Sequence, residues 1–414
     1  MTATTMKRTA MSPVIRGAAA PVPLLGEVLL WVLLAGTIVL RSAFAHMRIG
    51  PIYVTDGALF LLLALAILFY PHRFFAWGRI EKILVAYVGL CVLHTIAALE
   101  HGMWTLKDAT LGGYALFALL VPVFISSWDR LERFGVVMCA SVVGLAAYGL
   151  FLPDIGGNAS FYLGAGALGL LAMLSFQMRW LAAVVFCLFL LEMILSGRRA
   201  SAVALVVGST ALFVAIPVAA RHRFLRVLVA LAMCGSVVGL AALSVPSISA
   251  RVEWGVQRYL SGTVGYRSDG TAQWRLGAWR NAVALIGAHP VRGVGFGTPI
   301  NVYPVDEPPE KMASPYNYGL PHNTYLSVAL KTGIPGLALL LTGLAAWFRR
   351  VWSMRPQSPW ACGLAALGIY GCFYGYFALF FERPFMAMPF WILIGLGLAL
   401  ERLTAREPGQ ADTA

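Results

Sequence analysis

Long apolar runs separated by short polar breaks dominate this chain. They fall at roughly 24–44, 56–70, 81–99, 109–126, 132–152, 160–177, 180–196, 200–220, 224–245, 324–347, 360–381 and 385–401. The runs are continuous, whereas the strands of a closed membrane barrel alternate polar and apolar residues, which weighs against a barrel. A helix needs about 20 apolar residues to cross hydrocarbon, which makes each run a predicted span. The pattern predicts an all-α polytopic membrane protein with about 12 transmembrane helices. Between 246 and 321 it gives way to Trp, Tyr, Arg, Gly and Pro, over a stretch too long for a mere connector. The expected organisation is 1–245 with helices one to nine, 246–321 as one large loop, and 322–414 with the last three helices and a tail. No repeat relates the two halves, which weighs against the repeat-built transporters.

Composition sharpens this. Hydrophobic residues make up 59% of the 414 and charged residues 12%, against about 45–50% and about 25% in soluble domains. A soluble globular protein and a disordered chain are both excluded. The net charge of +13 would suggest nucleic acid in a soluble protein. In a membrane protein it reflects the cytoplasmic excess of Lys and Arg, so no nucleic-acid partner is expected. With the N-terminus inside, that side collects Lys7, Arg8, Arg16, Arg73, Arg79, Lys82, Arg130, Arg133, Arg179, Arg221, Arg223, Arg226, Arg349, Arg350, Arg355, Arg402 and Arg406. The short outer loops and helix ends hold only Arg41, Arg48, Lys107, Arg198, Arg199 and Arg383. Both termini are expected in the cytoplasm and the large loop outside, in the periplasm if the host is a bacterium. Ala43-Phe44-Ala45 resembles a signal-peptide cleavage site, but the run before it is long and Arg41 adjoins it, so an uncleaved first helix is expected. The six cysteines all lie in apolar runs without metal-like spacing and read as small buried hydrophobes.

Candidate chemistry concentrates on the outer side. Ser196-Gly197-Arg198-Arg199-Ala200 puts two arginines at a membrane boundary against the basic-inside trend. They either snorkel to headgroups or form an anion site, for which the planar guanidinium fork is suited. In the large loop, Arg275 and Trp279 are four apart and share a helical face, while Arg280 points elsewhere. A structural ion pair is the competing role for either arginine. Gly293-Val294-Gly295-Phe296-Gly297 is no dinucleotide fingerprint, because no strand precedes it and no clear helix follows. It reads as a turn that lets backbone pack closely or approach a ligand. His322-Asn323-Thr324-Tyr325 opens the tenth span, and His322 serves either as a polar cap or as a proton acceptor near neutral pH. Lys331-Thr332-Gly333-Ile334-Pro335-Gly336 should break that helix, with Lys331 either reaching outward or facing a polar cavity. Walker, HExxH, GxSxG and DxD-like motifs are absent from the sequence.

The Arg275…Trp279 segment, His289-Pro290-Val291-Arg292-Gly293-Val294-Gly295-Phe296-Gly297, and Pro321-His322-Asn323-Thr324-Tyr325-Leu326 through Gly333-Ile334-Pro335-Gly336 occur in one order. In that order and spacing the chain resembles the O-antigen ligase and polysaccharide polymerase superfamily, over about 196–340. The resemblance implies a GT-C-like membrane glycosyltransferase of the bacterial inner membrane with its active site in the periplasm. Such enzymes take a glycan from an undecaprenyl-diphosphate carrier and pass it to lipid A–core or to another glycan. They use no metal, no cofactor and no nucleotide-activated sugar. The family's outer arginine corresponds to Arg199, with Arg198 where the family has serine; its loop arginine corresponds to Arg275 and its histidine to His322. On this reading His322, Arg275 and Arg199 are catalytic, and Arg198, Arg280, Trp279, Asn323 and Tyr325 bind substrate.

The chemistry agrees with the resemblance. A departing diphosphate needs cations, which arginines supply in the absence of a metal. An acceptor hydroxyl needs a base, for which His322 is best placed. Trp274, Trp279, Tyr303, Tyr316 and Tyr325 are available to stack on sugars or simply to pack. The main alternative is a flippase or transporter of lipid-linked glycan, which would need ionisable groups deep within several spans. Here Glu27, Arg41, Glu192 and Lys331 are the few such residues, most of them near span ends.

Overall fold

The computed structural model describes residues 21–49, 52–151, 199–243, 269–298, 320–381 and 383–405, with single positions at 162, 164–166, 169, 253, 300 and 302. The described residues are almost wholly helical. The helices are α1 (Pro21–Leu40), α2 (Ser42–Ala45), α3 (Val54–Phe69), α4 (Pro71–Phe74), α5 (Arg79–Ala97), α6 (Met103–Gly113), α7 (Leu116–Phe124) and α8 (Trp128–Phe151), followed by α9 (Arg199–Ala215), α10 (Val218–Leu243), α11 (Asp269–Ala288), α12 (Thr324–Met354), α13 (Pro359–Gly375) and α14 (Pro384–Thr404). A two-residue antiparallel ladder, Arg48–Ile49 with Ile52–Tyr53, closes the turn before α3.

Ten of the twelve predicted spans fall on these helices; the spans at 160–177 and 180–196 lie largely outside the described residues. Arg79–Ala97, Thr324–Met354 and Pro384–Thr404 are long and apolar enough to cross a membrane, and four shorter apolar helices accompany them. The protein is membrane-embedded. The span at 109–126 departs from one regular helix. Gly112 and Gly113 weaken the helix there, and α6 passes to α7 through tightened bonds from Ala115 N to Gly112 O and Ala118 N to Ala115 O, 3.0 and 3.1 Å.

Burial separates the centre of the bundle from its lipid-facing rim. The apolar window of α14 is 83% buried, whereas that of α5 is 33% buried and exposes Val92, Leu93 and Ile96. A helix apolar on all sides belongs in the middle of a bundle. Close approach there depends on small residues. A Cβ on Gly395 of α14 would lie 2.6 Å from Val121 Cβ and 3.0 Å from Ala118 O of α7.

Charged residues mark one end. Glu27 of α1 is fully buried and takes a two-pronged contact from Arg133 of α8, at 3.0 and 3.1 Å. Arg130 lies 3.5 Å from the same carboxylate. Arg402, near the end of α14, donates to Glu81 Oε1 and to the carbonyls of Arg73 and Ala76. Arg350 pairs with Glu401 at 2.8 Å. Among the described residues, Arg73, Arg130, Arg133, Arg350 and Arg402 of the group that the orientation rule collects thus share one end of the bundle, and His322 stands at the other.

Candidate active site

Part of the large loop is helical and docked. Ala278, Ala282 and Ile286 on one face of α11 form a small core with Ile300, Val302, Ala329 and Leu330, which fixes α11 against α12. The Trp279 indole N–H donates to Pro321 O at 2.7 Å, and its ring meets that of Tyr376 edge-on at 5.1 Å. α11, the approach to His322 and the loop after α13 therefore converge on Trp279. Arg275, one turn earlier on the same face, is half-buried. Arg280 is exposed on another face, as its spacing predicts.

His322 stands just before α12 with a positive φ of 49°, a conformation few non-glycine residues adopt. Asn323 caps the helix, its side-chain oxygen accepting from Tyr325 N at 3.0 Å and Leu326 N at 3.1 Å. Thr324 Oγ1 donates to Ala378 O at 2.8 Å and accepts from Phe380 N at 2.6 Å. The Tyr325 hydroxyl donates to Cys372 O at 2.7 Å. Asn323 and Tyr325, read in the sequence as substrate ligands, thus also have structural partners: one caps α12 and the other ties it to α13.

These bonds bring the loop between α13 and α14 to the histidine, and with it Arg383. Burial, then Arg383, then Arg275 hold the His322 pKa down at about 4. The ring is neutral at pH 7 and able to accept a proton. Because the folded value lies below the unfolded one, the unfolded chain binds this proton more readily between about pH 6.5 and 4. Folded stability from this group therefore falls as pH drops through that window. In the sequence Arg383 carries no motif, and its one signal is that it is among the few basic residues assigned to the outer side.

The glycine-rich turn and the helix break answer each other. Gly333 has φ 71° and ψ −177° inside α12, so the helix loses its bond from Ile334 N to Leu330 O. Both groups are taken up by the turn: Val294 N donates to Leu330 O at 2.7 Å and Ile334 N donates to Pro290 O at 2.8 Å. Lys331 is 4% exposed and lies 2.6 Å from Asp108 Oδ2 of α6. It also donates to Thr298 O at 3.1 Å, while Gly297 N donates to Asp108 Oδ2 at 2.8 Å. Lys331 therefore faces a buried polar joint rather than the outside. A Cβ on Gly333 would meet Val291 O at 2.2 Å, backbone that cannot swing away. Gly333→Ala is expected to destabilise the protein by about 2–4 kcal/mol, from the positive φ plus overpacking. A thermal melt in detergent, with Gly287→Ala as an unhindered control, checks this.

Other expected site residues are placed less fully. Arg198 lies outside the described residues, as do Tyr303 and Tyr316, and so do the side chains of Arg199 and Trp274. The backbone of Arg199 opens α9. Ser201 bonds Tyr370 of α13, and Cys372, two residues on, holds Tyr325. The starts of α9 and α12 thus meet the same end of α13.

Residues 181–341 match the family model described as O-antigen ligase. The match supports an O-antigen ligase-like family for this chain. It covers Arg199, Arg275, His322, Lys331 and Gly333, and leaves out Asp108 and Arg383. No curated protein matches the chain. An O-antigen ligase-type enzyme acts on a lipid-linked glycan and an acceptor in a membrane.

Proposed function

We propose that this O-antigen ligase-like protein is an inverting, metal-independent membrane glycosyltransferase. It moves a glycan from undecaprenyl diphosphate to a sugar acceptor, either lipid A–core or another glycan, at the periplasmic face of a bacterial inner membrane. The observation that carries this reading is the placing of His322 before α12, with the neighbouring Pro321 O bonded to Trp279 one turn from Arg275, at the end opposite the Glu27 and Arg402 clusters. The family match over the same residues supports it. The acceptor hydroxyl attacks the anomeric carbon and its proton passes to His322. The bond from that carbon to the diphosphate oxygen breaks, and its electron pair leaves on the carrier. Arg275 and Arg199 stabilise the charge that develops there. On the same reading Arg198, Arg280, Trp279, Asn323 and Tyr325 bind substrate. About 12 spans in a GT-C-like arrangement hold this site, with both termini cytoplasmic and 246–321 as the periplasmic loop.

A flippase or transporter of lipid-linked glycan remains the rival. The buried Lys331–Asp108 pair is the kind of intramembrane charge it would use, but that pair is occupied in joining α6, α12 and the glycine-rich turn.

A deletion strain tests the reading. Long polymer stranded on the lipid carrier is the ligase outcome, and single repeat units stranded there are the polymerase outcome. Glycan trapped on the cytoplasmic side of the membrane would overturn the transferase reading in favour of the transporter.

A further inference from the structure

Two arginines from distant parts of the chain are delivered to His322 by separate anchors. Arg275 comes on α11, which is pinned one turn later by the bond from the Trp279 indole to Pro321 O. Arg383 comes at the start of α14, at the end of a loop that Thr324 grips at both Ala378 O and Phe380 N. The edge-on contact between Trp279 and Tyr376 joins the two anchors. Pro321 and Thr324 flank His322 in sequence, so the histidine lies between the two points of attachment. A neutral structural cap would need neither cation, and a loose patch of surface arginines would not ride on elements fastened by the Thr324 and Trp279 bonds.

We propose that Arg383 and Arg275 form a guanidinium bracket around His322 that the donor's diphosphate fills, so that the donor's own charge readies the histidine to take the acceptor's proton. This rests on the donor class proposed above and adds a residue and an order of events to it. In the free protein both guanidinium charges oppose protonation of His322, as burial also does. A diphosphate diester between the arginines cancels their field and replaces it with an attractive one. The base gains strength only when the leaving group is in place, which keeps it from being lost to a stray proton beforehand. Arg383 is a binding and positioning residue here, and His322 remains the group that moves the proton. Among the described residues, the other titratable groups on these elements are Tyr325 on the same helix, Cys372 of α13, whose carbonyl holds Tyr325, and Tyr376 just after α13. Glu382 precedes Arg383 in sequence and lies outside the described residues.

The prediction is a linkage between donor binding and proton uptake. The probe is farnesyl-diphospho-N-acetylglucosamine, a diester whose charge is constant between pH 5.5 and 7.5. Its affinity is measured on the full-length protein in detergent, without acceptor. If the bound donor returns His322 toward its ordinary value near 6.5, wild type binds about tenfold more tightly at pH 5.5 than at 7.5. His322→Gln should bind with no such pH dependence. Arg383→Gln should bind about 10- to 100-fold more weakly at pH 7.5, with a smaller gain on acidification because its free histidine is already easier to protonate. Arg383→Lys, which keeps the charge, should restore the acid gain. Equal affinity and an equal acid gain in Arg383→Gln and wild type would overturn the bracket while leaving the donor assignment standing. No binding of the probe by wild type at either pH would instead remove the donor assignment itself. Should Arg383→Gln fail to fold, a flat wild-type pH dependence that matches His322→Gln would still sink the proposal.

Discussion

Replacing His322 is expected to lower glycan transfer by about 10²–10⁴-fold while the protein remains inserted and folded. The choice of substitute matters because the residue sits at φ 49°. Asparagine tolerates that backbone better than most residues, so His322→Asn removes the imidazole with little added strain. His322→Ala adds a backbone cost of about 1–2 kcal/mol. The two variants should lose transfer alike and differ only in melting temperature. The measurement is turnover of a polyprenyl-diphosphate-linked glycan by purified protein, with donor binding followed in parallel. Loss of turnover with donor binding kept at neutral pH is the signature of a missing base. Wild-type turnover in His322→Asn would mean that another group accepts the proton and that His322 acts only as the link between Pro321 and the cap of α12.

Breaking the Lys331–Asp108 pair is the second large effect. Lys331 is 4% exposed and its partner carboxylate also holds Gly297 N. Removing one charge strands the other in a poorly solvated place, which typically costs about 3–5 kcal/mol. Lys331→Met should therefore lower the melting temperature sharply in detergent. Joint replacement, Lys331→Met with Asp108→Leu, should recover part of that loss, because no orphan charge remains, though Gly297 N and Thr298 O still lose partners. If Lys331→Met alone melts like wild type, the pair is wetter than its burial indicates. A double variant that inserts and binds donor while Lys331→Met does neither would establish the joint as structural rather than part of a transport path.

The two predictions lie at opposite extremes of legibility. His322 stood out in the sequence because a titratable residue opened an apolar run beside Asn323 and tyrosines. Lys331 stood out as a charge within a span, but its partner did not. Asp108 is 223 positions away, in a helix with no motif of its own, and pairing across such a distance has no local signal. The glycine-rich turn was legible as a place where backbone comes close. What it approaches, the two backbone groups freed by the kink at Gly333, is a matter of three-dimensional packing. Arg383 was visible only as a residue on the sparsely charged side, because a single arginine between two apolar runs says nothing about its neighbours.

By itself the sequence determined that this is a helical membrane protein, where most of its described helices run, and its likeness to an O-antigen ligase-like family. These follow from properties local to the chain: the length of apolar needed to cross hydrocarbon, the cost of burying charge, and residue order within motifs. Only the tertiary structure decided that α14 is the centre of the bundle and α5 its rim, that Asn323 caps α12 while Tyr325 ties it to α13, and that Arg275 and Arg383 both bear on His322. In a chain that is apolar nearly throughout, hydrophobic pattern cannot rank one helix face over another. Close packing at small residues and satisfaction of buried polar groups make that choice, and both depend on partners far away in sequence.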